Sequence, residues 1–215
     1  MRIWFASGNM DKKKELSAIL GNYCTELLLP AEAGLHFDPN ESALSFHENS
    51  LIKAKELYRL LCREGLSKSG DAIIADDSGI CVDALDGRPG IYSARYAGAG
   101  ASPDNTRLSA SERNILLLEE LGNQTNRKAS FVCAMVLLFD EDRFFIAHEI
   151  LEGELVKDKN HIRGTGGHGY DPVLFLPELG KTVAELSDAE KNKISHRAKA
   201  GNVIAAILGN YGKGK

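Results

Sequence analysis

The chain has 215 residues and a mass of 23.4 kDa, with 43% apolar residues, 26% charged residues and a formal net charge of −4. Set against a usual domain of about 150 residues, this is one large domain or one with two lobes, and such a chain buries about 70% of its unfolded surface without metal or disulfide staples. The composition excludes wholesale disorder, collagen and coiled coil, and the acidic balance argues against broad wrapping of nucleic acid, leaving local anion binding by a few lysines open.

Arg2 to Ala6 reads as a short strand that ends in Ser7-Gly8-Asn9. Leu16, Ile19 and Leu20 then recur at helical spacing, which makes the unit strand, tight turn, helix. Residues 30 to 45, with Pro30, Gly34, Pro39 and Asn40, read as loop. Ser45-Phe46-His47-Glu48 fits a capping box for a long helix whose face carries Phe46, Ser50, Ala54, Leu57, Tyr58 and Leu61. Ala72 to Ala75 predicts a brief buried strand, stopped by Asp76-Asp77-Ser78-Gly79, with Ile80 to Leu85 as its hairpin partner. Asp86-Gly87-Arg88-Pro89-Gly90 is turn chemistry. A helix is expected from about Asn105 to Leu121, stopped by Gly122. Ala129 to Phe139 and Arg143 to Leu151 form a hairpin across Asp140-Glu141-Asp142. Gly164 to Pro172 is a glycine-rich loop, followed by β-type Val173-Leu174-Phe175. Ser187-Asp188-Ala189-Glu190 opens a helical stretch that breaks near Ser195 and continues to about Leu208. Mixing αβ units with hairpins predicts a mixed sheet.

No targeting segment is expected. The longest apolar run, Phe131 to Phe139, is too short to span a bilayer, and the N-terminus turns polar at Ser7. Cys24, Cys62, Cys81 and Cys133 have no Cys-x-x-Cys spacing, so free thiols in a reducing cytosol are expected and zinc is disfavoured.

Four motifs carry chemistry. After the first strand, a helix N-terminus offers amide donors to an anion, with Gly8 permitting close approach and Lys12 in the first turn; an ordinary βα turn is the plainer alternative. Asp76 and Asp77 follow a buried strand, where carboxylates are costly unless paired or bound to metal. Alternation along an extended chain points them to opposite faces, and carboxylates with phosphate oxygens suit Mg²⁺. A simple turn is again the alternative. Gly164-x-Gly166-x-x-Gly169 has the letters of a dinucleotide fingerprint but opens no helix in a βαβ unit, so a Rossmann reading is rejected. It leaves a flexible loop offering backbone groups and the ring of His168 or Tyr170 to a flat ligand, or a plain connection. Lys191 and Ser195-His196-Arg197 supply clustered donors suited to planar acceptors and phosphate, against the alternative of a solvated helix face.

The order of these motifs along nearly the whole chain resembles the inosine triphosphate pyrophosphatase family. The matching stretches are Ser7-Gly8-Asn9-x-x-Lys12-x-x-Glu15, Phe46-x-Glu48-Asn49-x-x-x-Lys53-Ala54, Ala75-Asp76-Asp77-Ser78-Gly79-x-x-Val82-Asp83-Ala84-Leu85 and Pro89-Gly90-Ile91-Tyr92-Ser93-Ala94-Arg95-Tyr96, then Gly169-Tyr170-Asp171-Pro172 and Ser195-His196-Arg197. The resemblance implies a single α/β domain over residues 1–215, with an elongated mixed β-sheet, flanking helices and two lobes around a central cleft. It implies a cytoplasmic homodimer that hydrolyses ITP, dITP and XTP to the monophosphate and pyrophosphate with Mg²⁺, without nucleic acid or membrane partners. Mapped onto this chain, Ser7, Gly8, Asn9, Met10, Asp11, Lys12 and Lys53 meet the triphosphate, Asp77 is the general base and Ser78 touches substrate. Glu41 and Asp77 hold the metal, and His168, Gly169, Tyr170, Asp171, Lys191, His196 and Arg197 form the base pocket. Two departures stand out: His168 replaces the family's usual aromatic, and Glu41-Ser42-Ala43 replaces Glu-Thr-Gly. The competing readings are a non-catalytic nucleotide-binding module, a same-fold hydrolase of modified pyrimidine or ordinary nucleotides, and a nucleic-acid-binding protein.

Overall fold

A computed structural model of the chain describes residues 1–98 and 108–211. The elements run β1 (Arg2–Phe5), α1 (Met10–Leu20), β2 (Glu26–Leu28), α2 (Phe46–Arg63), β3 (Ala72–Val82), α3 (Ala110–Leu121), β4 (Lys128–Leu138), β5 (Phe144–Leu155), β6 (Leu174–Leu176), β7 (Lys181–Thr182), α4 (Asp188–Ile194) and α5 (His196–Tyr211). They build one mixed sheet in the order β2-β1-β3-β4-β5-β6-β7. β1 pairs parallel with β2 and with β3, whereas β6 pairs antiparallel with β5 and β7. The fold is α/β, as expected. Among the described residues no helix is long and apolar enough to cross a membrane.

The chain divides into two compact units. The first comprises Met1–Asp77, Cys133–Glu149 and Ser195–Lys215; the second comprises Ser78–Val132 and Ile150–Ile194. In the first unit the central strands are apolar on both faces, the pattern of a strand covered by helices on each side. Ile3, Phe5, Ala72 and Ile74 pack with Leu16, Leu20, Ala200, Ile204 and Leu208 of α1 and α5. Trp4, Ala6, Ile73 and Ala75 pack with Ala54, Leu57 and Leu61 of α2. The second unit has one core, which includes Ile80 and Val82 of β3, Leu117 and Leu121 of α3, Phe131 of β4, Leu151 and Leu155 of β5, and Leu174 of β6.

Beyond the unexpected short strands β2 and β7 and a β5 that runs on to Leu155, two differences from the sequence reading bear on the site. Asp76-Asp77-Ser78-Gly79 is no turn, and Ile80 begins no second strand: β3 continues unbroken to Val82. The turn reading rested on the poor β propensity of Asp and Gly. The residues stay extended because Asp76 and Asp77 find cationic partners on opposite sides. The helix expected from Asn105 begins instead at Ala110, with Ser109 as N-cap accepting from the Glu112 amide; positions 105 to 107 lie outside the described residues.

Candidate functional site

The alternation that sorts apolar side chains along β3 also sorts its two carboxylates. Asp76 continues the row of Ala72 and Ile74, which faces α1 and α5. Its oxygens accept from Lys12 Nζ at 3.0 and 2.9 Å and from Arg197 Nε and Nη2 at 3.3 Å. Arg197 Nη1 also donates to Glu15. Lys12 and Glu15 are three residues apart on α1 and so share a face. Asp77 continues the row of Ile73 and Ala75, which faces α2. Lys53 Nζ donates to Asp77 Oδ1 at 3.2 Å, and Asn49 Nδ2 lies 3.4 Å from Oδ2. Asn49 and Lys53 stand one helical turn apart, inside a helix fixed by the Ser45 cap on the Glu48 amide. Lys53 Nζ also lies 3.3 Å from Glu41 Oε1.

These surroundings push the adjacent carboxylates in opposite directions. Burial alone would raise the Asp76 pKa, but Lys12, Arg197 and Lys53 outweigh it and hold the carboxyl well below its ordinary range. Burial also raises Asp77; Lys53 opposes this, Glu41 adds to it, and the net direction is up. Burial would lower Lys53, yet Asp77, Asp76 and Glu41 together raise it. Arg197 likewise stays charged, because Asp76 and Glu15 overcome its burial. Neighbouring groups driven apart in this way mark a division of acid–base labour.

At the start of α1, Asn9 Oδ1 caps the helix by accepting from the Asp11 and Lys12 amides. Those two donors are thus satisfied within the chain, and the Asn9 amide donates to Ser7 Oγ. A Cβ at Gly8 would meet no atom within 4 Å, so the glycine leaves open space beside the helix end. Met10 is 60% exposed.

The second unit holds His168 to Asp171 and Lys191 of the predicted base group, whereas His196 and Arg197 fall in the first. Asp171 is buried and its Oδ2 accepts from Lys191 Nζ at 2.8 Å and from the His168 amide at 2.9 Å. Gly167 lies beneath this contact at φ +71°, and a Cβ there would stand 1.9 Å from Asp171 Oδ2. The glycine is therefore required by the Asp171 bridge. Tyr170 hydroxyl donates to the Ser93 carbonyl at 2.9 Å, and Asn114 Nδ2 donates to the Gly169 carbonyl at 3.1 Å. Lys191, His196 and Arg197 are buried, not a solvated helix face. Lys12, Lys53, Glu41, Asp77 and Arg197 thus belong to the first unit, while Ser78, His168, Gly169, Tyr170, Asp171 and Lys191 belong to the second.

The sequence reading gave no role to Glu15, Asn49 and Asn114 in these networks. Helical spacing from Lys12 and Lys53 could have found the first two. Asn114 gave no such signal, since its partner is a backbone carbonyl 55 positions away.

A profile of the Ham1 family matches residues 3–207. The chain belongs to the Ham1 family. It is 42% identical over 200 residues to a dITP/XTP pyrophosphatase of Treponema denticola, covering 93% of this chain and 94% of that protein. It is 41% identical over 210 residues to a dITP/XTP pyrophosphatase of Thioalkalivibrio sulfidiphilus, covering 97% and 98%. Among solved structures, the HAM1 protein of Coxiella burnetii superposes with a TM-score of 0.79 at 33% identity, over 98% of this chain and 99% of that one. The Staphylococcus aureus Ham1 protein gives 0.76 at 36% identity, over 98% and 100%.

Glu41 and Asp77, the pair expected to hold a metal, stand close enough to share one cation. Both carboxylates converge on the Lys53 ammonium, and a pair of hard anionic oxygens fits Mg²⁺, which fills the rest of its shell with water and phosphate oxygens. Among the described residues, no three His, Cys, Asp or Glu side chains gather into a metal cage.

Proposed function

We propose that this chain is a nucleoside triphosphate pyrophosphatase that converts ITP, dITP and XTP to the monophosphate and pyrophosphate, clearing deaminated purines from the cytoplasmic nucleotide pool. The observation that carries the reading is the split on β3. A carboxylate with a raised pKa, Asp77, sits beside Lys53 and Glu41, next to a permanently ionised neighbour clamped by Lys12 and Arg197. A raised carboxylate is a better base near neutral pH. Asp77 takes the proton of the water that attacks the α-phosphorus. Lys12 and Lys53 meet the charge of the departing pyrophosphate. Glu41 and Asp77 would hold a Mg²⁺ ion, which would supply neutralisation of charge on the phosphates.

The base is read by the second-unit residues His168 to Asp171 and Lys191. Hypoxanthine and xanthine present a 6-oxo acceptor where adenine presents an amino donor. Donors built for that oxygen are left unpaired by adenine, a penalty that discriminates by about 10⁴. The resemblance further implies a homodimer. All four cysteines are free, which suits a reducing compartment.

The deciding assay incubates the protein with ITP, XTP, GTP and ATP plus Mg²⁺ and identifies the products. Monophosphate and pyrophosphate from ITP and XTP, in strong preference to ATP, are expected. Release of orthophosphate, or equal turnover of all four, would overturn the reading. In the same assay Asp77→Asn lowers kcat by at least about 10²-fold with nucleotide binding retained.

A further inference from the structure

Asn114 carries a role that catalysis and base contact leave unassigned. It lies in the first half of α3, only 3% exposed, one helical turn ahead of the core residues Leu117 and Leu118. Its amide nitrogen reaches the Gly169 carbonyl at 3.1 Å, inside the loop that carries His168, Tyr170 and Asp171. Its Oδ1 is buried and has no hydrogen-bond partner among the described residues. An orphaned buried acceptor is costly, so Asn114 is a poor choice for stability alone.

The loop is anchored at three consecutive points. The Gly169 carbonyl is tied to α3 through Asn114. The Tyr170 ring is tied to the Ser93 carbonyl, and Ser93 Oγ in turn accepts from the Ile80 amide and donates to the Gly90 carbonyl. Asp171 bridges Lys191 and the His168 amide. Of these, only the Asn114 tether acts on a glycine with φ of +65°, the residue whose backbone is otherwise freest to rotate. Rotation at Gly169 would swing His168 on one side and Tyr170 on the other.

We propose that Asn114 is a positioning residue for base recognition: it fixes the Gly169 peptide, and with it the orientation of the His168 and Tyr170 rings. The inference rests on the reading of this loop as the base-recognition element. Asn114 is buried and its amide is spent on the Gly169 carbonyl, so its loss acts on nucleoside recognition through the loop and leaves the phosphate half intact.

Two variants test it. Asn114→Leu removes both the tether and the orphaned acceptor, and Asn114→Asp keeps the shape but turns an acceptor toward the Gly169 carbonyl. Each is expected to raise KM for ITP and XTP about 5- to 10-fold, the loss of one hydrogen bond's positioning, with kcat within about twofold. The inhibition constant of inorganic tripolyphosphate, which has no base, stays unchanged, and Asn114→Leu melts within a few degrees of the parent. Amide exchange of the 164–172 segment is faster in both variants. Unchanged KM in both variants overturns the proposal. So does a parallel loss of tripolyphosphate inhibition and melting temperature, which marks a merely structural residue. If the parent protein fails to hydrolyse ITP, the functional reading falls by itself. The exchange measurement then still decides the tether: unaltered exchange at 164–172 in both variants refutes it.

Discussion

The polar networks of the two units are built from different materials. In the first unit, the seven side chains Lys12, Glu15, Glu41, Lys53, Asp76, Asp77 and Arg197 hold one another almost wholly through charge. In the second, one ion pair between Lys191 and Asp171 is set among neutral bonds to backbone carbonyls from Tyr170 and Asn114. A polyanion demands compensating charge and is indifferent to small rotations. A flat base demands donors and acceptors at fixed angles. Substitutions in the first network should therefore move rates for every nucleotide together, and substitutions in the second should move the ratio between nucleotides.

The largest effect is expected where the first network is deepest. Arg197→Ala strips two donors from Asp76 and leaves buried charge under-paired, which costs about 3–5 kcal/mol of stability. Denaturant titration measures it. The double variant Arg197→Ala/Asp76→Asn recovers part of the loss, because the deepest carboxylate, Asp76, no longer carries an under-paired charge. Arg197 is also where the comparison is sharpest, since base contact was expected of it and its guanidinium is braced by Asp76 and Glu15. A fall in the ITP-to-ATP preference of Arg197→Ala assigns it both tasks. An unchanged preference confines it to holding Asp76.

A smaller and more selective effect is expected at Gly167. Gly167→Ala places a methyl where Asp171 Oδ2 now sits and adds a side chain at positive φ. It should displace Asp171 from Lys191 and the His168 amide, lowering ITP and XTP selectivity over ATP about tenfold while the inhibition by inorganic tripolyphosphate is retained. Equal loss with all nucleotides and with tripolyphosphate would erase the distinction between the two networks.

Much of this was legible before any coordinates. Short continuous apolar runs and the helical spacing around Lys12 and Lys53 located the strands and helices that carry the first network. The alternation of side chains along an extended chain foretold that Asp76 and Asp77 diverge. What misled was local propensity. Asp-Asp-Ser-Gly reads as a turn in isolation, and only cations 64 and 121 positions from Asp76 make it strand. The fate of Arg197 was hidden for the same reason. Its donors and the carboxylates that claim them come from three elements with no periodic relation. Gly167 was misread in kind: the glycine-rich loop suggested a backbone cradle for a ligand, whereas the space at Gly167 is taken by the chain's own Asp171.

The smallest expected effect lies under the charged network, at Cys133. It is buried on β4 in the core beneath Asp76, and burial, reinforced by that carboxylate, pushes its thiol up to about 12. In the unfolded chain a cysteine titrates near 8.5. Because the folded value is the higher, the stabilising difference is complete below about pH 8.5 and is lost as pH climbs toward 12. The stability of the parent should decline over that window more steeply than that of Cys133→Ala, as equilibrium unfolding at pH 7.5, 9 and 10 would reveal. A thiol reagent at pH 8 should label exposed Cys62 at once and Cys133 only on unfolding. Rapid labelling of Cys133 in the folded protein would mean that the core under Asp76 opens readily, and a charge network resting on so loose a floor could not hold the two carboxylates at such different pKa values.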